Sequence, residues 1–152
     1  MAQSSSSMQL TRAADYAVRV TVHLATLPAN ERTVLPELAR ATGVPATFLS
    51  KVLQKLRDCG FVTSRRGQAG GFELLAAGRA ATITQIIEAM DGPICLNLCL
   101  AHGESCNRKH FCPAHPVWID AQKAMLGVLN NFTVTDLAIK AAMQNGANGR
   151  SR

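Results

Sequence analysis

Residues 48–74 read Phe48-Leu-Ser-Lys-Val-Leu-Gln-Lys-Leu-Arg-Asp-Cys-Gly-Phe-Val-Thr-Ser-Arg-Arg-Gly-Gln-Ala-Gly-Gly-Phe-Glu-Leu74, and the change of periodicity inside this stretch decides the fold. Up to Asp58 the apolar residues Phe48, Leu49, Val52, Leu53 and Leu56 recur at helical spacing. With Pro45 as the opener they predict a helix over Ala46 to Asp58. Its other face holds Thr47, Ser50, Lys51, Gln54 and Lys55. After Gly60 two short β-type runs are joined by a Gly-rich basic turn, which predicts a β-hairpin over residues 61–75.

Upstream, Thr11 is placed to cap a helix whose apolar positions Ala14, Ala17, Val18, Val20, Val22 and Leu24 run to about Leu27, where Pro28 stops it. A second helix is expected from Pro36 to Thr42, with Gly43 at its exit. Downstream, Thr82 and Gln85 form a capping-box pair opening a short helix that ends at Asp91-Gly92-Pro93. Cys95 to His115 is too polar and irregular for a regular element and is expected to be a loop. A helix from Val117 to Asn130 follows, and Thr135 is expected to cap a last helix reaching Met143. The fold class is therefore mainly α with a small β wing. Three short helices followed by a hairpin is the pattern of a winged helix-turn-helix, here completed by a long C-terminal helix. The expected organisation is a disordered Ser-rich leader 1–9, the winged helix-turn-helix 10–92, a cysteine-rich sensor loop 93–116, a dimerisation helix and final helix 117–144, and a disordered tail 145–152.

Composition agrees with one ordinary domain. The chain has 152 residues, 47% hydrophobic and only 5% aromatic, so the core must come from aliphatic side chains that favour helices. No apolar stretch is long enough to span a bilayer and no signal peptide is visible, so a soluble cytoplasmic protein with no membrane partner is expected. No nucleophile triad, phosphate loop or paired acidic motif argues for an enzyme. A formal charge of +6 makes an anionic partner plausible. Position sharpens this, because Ala46 to Gly70 carries Lys51, Lys55, Arg57, Arg65 and Arg66 against Asp58.

A helix entering a major groove must present hydrogen-bonding side chains, and Thr47, Ser50, Lys51 and Gln54 do so at helical spacing. Lys55 and Arg57 are placed to reach phosphates, which position a module but read no sequence. Arg65 and Arg66 sit at the hairpin tip, where Gly67, Gly70 and Gly71 permit a tight turn and close approach to a phosphate strand or a minor groove. Double-stranded DNA is the expected partner.

Of five cysteines, Cys59 stands alone and is expected to pack beneath the wing, while Cys95, Cys99, Cys106 and Cys112 fall close together. Without a secretion signal, such a cluster reads as metal-binding or redox-active. Thiolates converging from an irregular loop suit an iron-sulfur cluster, and the spacing Cys95-x3-Cys99-x6-Cys106-x5-Cys112 differs from the Cys-x2-Cys knuckles common in zinc sites. Cofactor-free thiol switching, zinc binding and a small electron-transfer protein are the alternatives, and the basic winged-helix half speaks against the last.

The stretch 48–74, together with Leu10-Thr-Arg-Ala-Ala-Asp-Tyr-Ala-Val18 and Cys106-Asn-Arg-Lys-His-Phe-Cys-Pro-Ala-His-Pro-Val-Trp118, resembles the Rrf-type transcription regulators. This is the family of the iron-sulfur-cluster assembly regulator and the nitric-oxide-sensitive repressor. The resemblance covers about residues 8–143. It implies a homodimer whose two winged helices read the half-sites of a palindromic operator, a repressor role, and a 2Fe-2S or 4Fe-4S cluster answering to nitric oxide, iron or redox state. Cys99, Cys106 and Cys112 are the implied thiolate ligands, although Cys99 lies one residue further from Cys106 than the commonest family spacing. The fourth ligand is left among Cys95, His115 and Asp15, the last from the other subunit. The stripe Trp118, Ala121, Met125 and Leu129 is expected to form the dimer contact.

Overall fold

The computed structural model describes residues 9–101 and 106–148, so nearly all of the expected leader and the last four residues lie outside the described residues. The elements follow in the order α1 (Arg12–Thr26), α2 (Leu35–Thr42), α3 (Ala46–Asp58), β1 (Val62–Arg65), β2 (Gly71–Leu74), α4 (Ala76–Ala80), α5 (Ile83–Asp91), a 3-10 turn (Leu98–Leu100), α6 (His115–Asn130) and α7 (Val134–Asn148). This mainly helical architecture with a two-stranded wing is the predicted class.

Helix α1 is the centre of the core. Its N-cap Thr11 accepts a hydrogen bond from the Ala14 amide at 3.1 Å, and Ala14, Ala17, Val20 and Leu24 are buried on one face. Against that face pack α2, α3, α5 and α7. The buried stripe of α3 is Leu49, Val52, Leu53 and Leu56. At its end, Gly60 adopts φ +76° while the Phe61 amide bonds Leu56 O and the Gly60 amide bonds Arg57 O, both at 2.9 Å. This is a Schellman closure, and it hands the apolar stripe on to Phe61, which packs against the core. Cys59 is left at the surface. The expectation that it packs beneath the wing is therefore corrected, because Phe61 fills that place.

The wing pairs Val62 with Leu74 and Arg65 with Gly71 in antiparallel register. It is fastened to the α1–α2 connection by a two-way backbone bridge between Thr33 and Phe72 and by an ion pair of Arg32 with Glu73 at 2.9 Å. The wing is thus tied to the body along β2, and residues 66–69 of its turn stay exposed.

Helix α4 is an element that local sequence signals do not announce. Gly78 lets it lie against Phe61 O and the Leu74 side chain, which a Cβ would strike. From α4, Arg79 donates to Ala25 O and Leu27 O, each at 3.0 Å, and so satisfies carbonyls at the end of α1. Hydrogen bonds from a charged group are worth about 1.5–3 kcal/mol. Arg79→Ala is accordingly expected to lower unfolding free energy by about that amount. Denaturant titration checks this, and an unmoved midpoint would mean that water caps α1 equally well.

Helix α7 starts at a cap formed by Thr133, not the expected Thr135. Asp136 accepts from the Thr133 amide at 2.8 Å while its own amide donates to the Thr133 hydroxyl at 3.2 Å. The bond from the Thr133 amide first, then one donated by the Thr133 hydroxyl at 2.7 Å, and nearby Lys140 hold the Asp136 carboxyl below its usual range. Thr135 instead donates to Arg79 O at 2.8 Å. With Val134 and Ala138 buried, α7 packs onto α1 and α4, so it belongs to the winged-helix body. It also runs to Asn148, past the expected end at Met143 and into the stretch expected as a disordered tail, because Ala, Met and Gln sustain the helix across Gly146.

Helix α6 begins at His115, two residues earlier than expected, because Pro116 is compatible with a first helical turn. None of its sixteen residues is buried. Ile119, Gln122, Met125, Leu126 and Leu129 are half-buried toward the body, whereas Val117, Ala121, Ala124 and Val128 are exposed.

Candidate DNA interface and cysteine cavity

Ser50, Gln54 and Arg57 stand at i, i+4 and i+7 on α3, so they share one face, and they line a groove shared with Ser64, Arg65 and Arg66 of the wing. Leu53, Phe72 and Leu35 form the floor beneath them. Thr47 and Lys51 are exposed on the adjoining outer face of the same helix. The structure thereby gathers Ser50, Gln54, Arg65 and Arg66 around one groove and leaves Thr47 and Lys51 open beside it. Arg57 and Ser64, only 3.5 Å apart, join the two walls.

The wing tip depends on Gly70. A Cβ there would overlap Arg65 O and lie 2.7 Å from Gly67 O, to which the Gly70 amide donates at 3.0 Å. Arg66 and Gly67 are held exposed by that closed turn. Lys55, expected to reach a phosphate, donates its ammonium to Met90 O at 2.7 Å and so lies against the end of α5.

The cysteine segment borders an open cavity of about 360 Å3 lined by Asn97, Leu98, Cys99, Cys106, Arg108, Lys109, Cys112, His115 and Trp118. All five cysteines of the chain are free thiols, and Cys99, Cys106 and Cys112 are half-buried here. The 3-10 turn places Cys99, a turn at 106–111 places Cys106, and the first turn of α6 places His115, whose amide donates to Cys112 O at 3.2 Å. Among the described residues His115 Nδ1 is buried without a hydrogen-bond partner, so a ring nitrogen on a residue of the cavity wall is left with an unmet bond. Among the described residues no three Cys, His, Asp or Glu groups stand as a finished metal cage. The donors are therefore collected around one space without being closed on it.

Arg108 and Lys109 add positive charge to the cavity wall, and the N-terminal end of α6 opens on it. Both features favour an anionic group in the cavity. Their role escaped the sequence reading, although their position just after Cys106 was the available signal. Of the other two fourth-ligand candidates, Cys95 is exposed with its thiol 3.9 Å from Leu100 O, and neither it nor Asp15 lines the cavity. Asp15 pairs with Arg19 at 2.6 Å on the half-exposed face of α1. His110 is exposed, and His102 lies outside the described residues.

These features can be set beside known proteins. The chain is 32% identical over 131 residues to a protein of Mycobacterium tuberculosis described as an HTH-type transcriptional regulator, covering 86% of this chain and 81% of that one. It is 30% identical to the HTH-type transcriptional regulator NsrR of Geobacillus kaustophilus, covering 86% and 89%. Its fold matches the structure of CymR, the global cysteine regulator of B. subtilis, with a TM-score of 0.71 at 25% identity, over 88% of this chain and 98% of that chain. The family described as Rrf2, iron-dependent transcriptional regulator, matches residues 10–140. The helices, the wing and nearly the whole length agree, and the chain belongs to the Rrf2 family of DNA-binding transcription regulators.

Proposed function

We propose that this regulator is a homodimeric repressor that reads a palindromic operator and that its operator affinity is set by an iron-sulfur cluster held by Cys99, Cys106, Cys112 and His115. The observation that carries the reading is the gathering of three half-buried thiols and His115 on the wall of one cavity at the root of α6. When bound, such a cluster supplies an iron centre that can be oxidised, nitrosylated or lost. The chain's own residues do the rest. Three cysteines supply soft anionic ligands, His115 a weaker nitrogen ligand, and Arg108 and Lys109 offset the negative charge. Binding there would tie Cys99 to Cys106, Cys112 and the first turn of α6.

The dimer is supported by α6. Val117, Ala121, Ala124 and Val128 repeat at spacings of four, three and four, are all exposed and include no charge, so a second α6 can lie closely along them. That seam replaces the expected stripe. Trp118 and Ala121 are exposed, but Met125 is half-buried and Leu129 packs on the core of its own chain.

On the DNA side, Lys51→Ala and Arg66→Ala are expected to weaken operator binding with an unchanged melting temperature. Loss of a phosphate contact should lower the salt slope by about one, and loss of a base contact should cost roughly 1–3 kcal/mol with relaxed specificity. Titrations unchanged for both variants would remove the groove from the interface.

Anaerobic purification with an absorption spectrum and iron and sulfide analysis tests the cofactor. Bound iron and sulfide with visible absorbance are expected. A colourless protein with five titratable thiols would instead favour thiol sensing without a cofactor, the reading to which the free cysteines and the likeness to a cysteine regulator lend support.

A further inference from the structure

Three connections converge on the last turn of α5. Lys55, from the helix that carries the candidate base-reading side chains, donates to Met90 O at 2.7 Å across thirty-five residues of sequence. Thr11, the cap of α1, donates to the Asp91 carboxylate at 2.8 Å. Glu88 accepts from the Ile94 amide at 3.1 Å, at the point where the cysteine segment leaves α5. Two residues further on, the Leu96 amide donates to Gln122 of α6 at 2.9 Å. The same short turn thus holds α3 on one side and the root of the cysteine loop on the other.

We propose that Lys55 is a positioning residue, which ties α3 to the end of α5 and through it lets the state of the cysteine loop set the pose of α3 on DNA. The first half rests on the observed contact, and the second rests on the functional reading given above. A cationic side chain at the C-terminal end of a helix is held by the unsatisfied carbonyls and by the helix dipole, so the tie is directional. It is also spatially committed. The bond to Met90 O takes one of the ammonium's three donors and fixes its place at the end of α5. A change that moves the 88–94 turn must then shift α3 or break the tie, and either alters the fit of Ser50, Gln54 and Lys51 to base edges. Charge and helical position alone point Lys55 toward phosphates, because Met90 lies thirty-five residues away in sequence.

Lys55→Met keeps most of the side-chain stem and removes the donor, while Lys55→Gln retains a donor. Operator and non-specific DNA affinity should be measured for each, with and without cluster, across a salt series. For Lys55→Met the expected result is an unchanged salt slope, weaker operator binding with little change in non-specific binding, and a holo-to-apo affinity ratio falling to within about twofold of one from a wild-type ratio of about fivefold or more. Lys55→Gln should recover part of both. A slope lower by about one, with operator and non-specific binding falling together, would make Lys55 a phosphate contact and overturn the proposal. A retained wild-type ratio in Lys55→Met would overturn it as well. If wild-type protein itself shows a ratio of one, the sensor reading fails on its own. The positioning role is then decided by the slope and by the operator-specific loss in apo protein, whose absence would overturn it.

Discussion

Anaerobically purified Cys112→Ala is expected to carry neither visible absorbance nor bound iron, and Cys106→Ala and Cys99→Ala are expected to behave alike. Each thiol is one of only three on the cavity wall, and no cysteine elsewhere in the chain lines it to substitute. The effect should be all or nothing, because a thiolate contributes both a covalent bond and a charge that water does not replace. Cys95→Ala should load normally, since Cys95 does not line the cavity. His115→Ala should still load but with a shifted spectrum and a shorter lifetime, as expected when a nitrogen ligand is exchanged for solvent. Full loading of Cys112→Ala would disprove the ligand assignment. If His115→Ala is indistinguishable from wild type, then Asp15 of a partner chain becomes the candidate to vary next.

Placing a charge in the exposed seam of α6 should have the second large effect. Ala124→Glu and Val128→Glu add carboxylates at positions that face solvent in the single chain, so the fold should tolerate them. In a dimer they would be juxtaposed and desolvated, and sedimentation should show the chain mass in place of twice that mass. A monomer reads one half-site only. Loss of the linked second half-site should weaken operator binding by roughly 10²–10⁴-fold, while the salt dependence per chain persists. Dimers of undiminished stability in both variants would place the interface elsewhere.

The parts of this molecule that sequence discloses are those whose cause is local. Thr11, the Thr82–Gln85 capping box, the stripe Leu49, Val52, Leu53 and Leu56 of α3 and the hairpin turn each rest on residues within a few positions of one another and are found as expected, whereas Phe48, expected on the same stripe, stays exposed with its ring edge-on to Tyr16. The misjudged parts have distant causes. Helix α4 exists because Gly78 meets Phe61 O and Arg79 reaches the end of α1, neither of which a five-residue segment announces. The outward face of α6 is equally hidden. Val117, Ala121, Ala124 and Val128 on one side and Ile119, Leu126 and Leu129 on the other are both apolar, so periodicity cannot tell the face toward the body from the face toward a partner. At the site, residue types and spacing mark the four clustered cysteines, and the resemblance singles out Cys99, Cys106 and Cys112 with the fourth ligand left among Cys95, His115 and Asp15. The cationic wall of Arg108 and Lys109, and the engagement of Lys55 with α5, became visible only once the chain was folded.

The central claim is that the cysteine cavity governs operator binding, and one comparison tests it most directly. Operator affinity is measured for the cluster-loaded dimer and for the same dimer after removal of iron and sulfide, at one salt concentration, with thiols kept reduced in both. The two affinities are expected to differ by about fivefold or more, the usual lower range for coupling between distinct sites. Equal affinities for loaded and emptied dimers would contradict the claim, and the cysteine cavity would then not be the sensor.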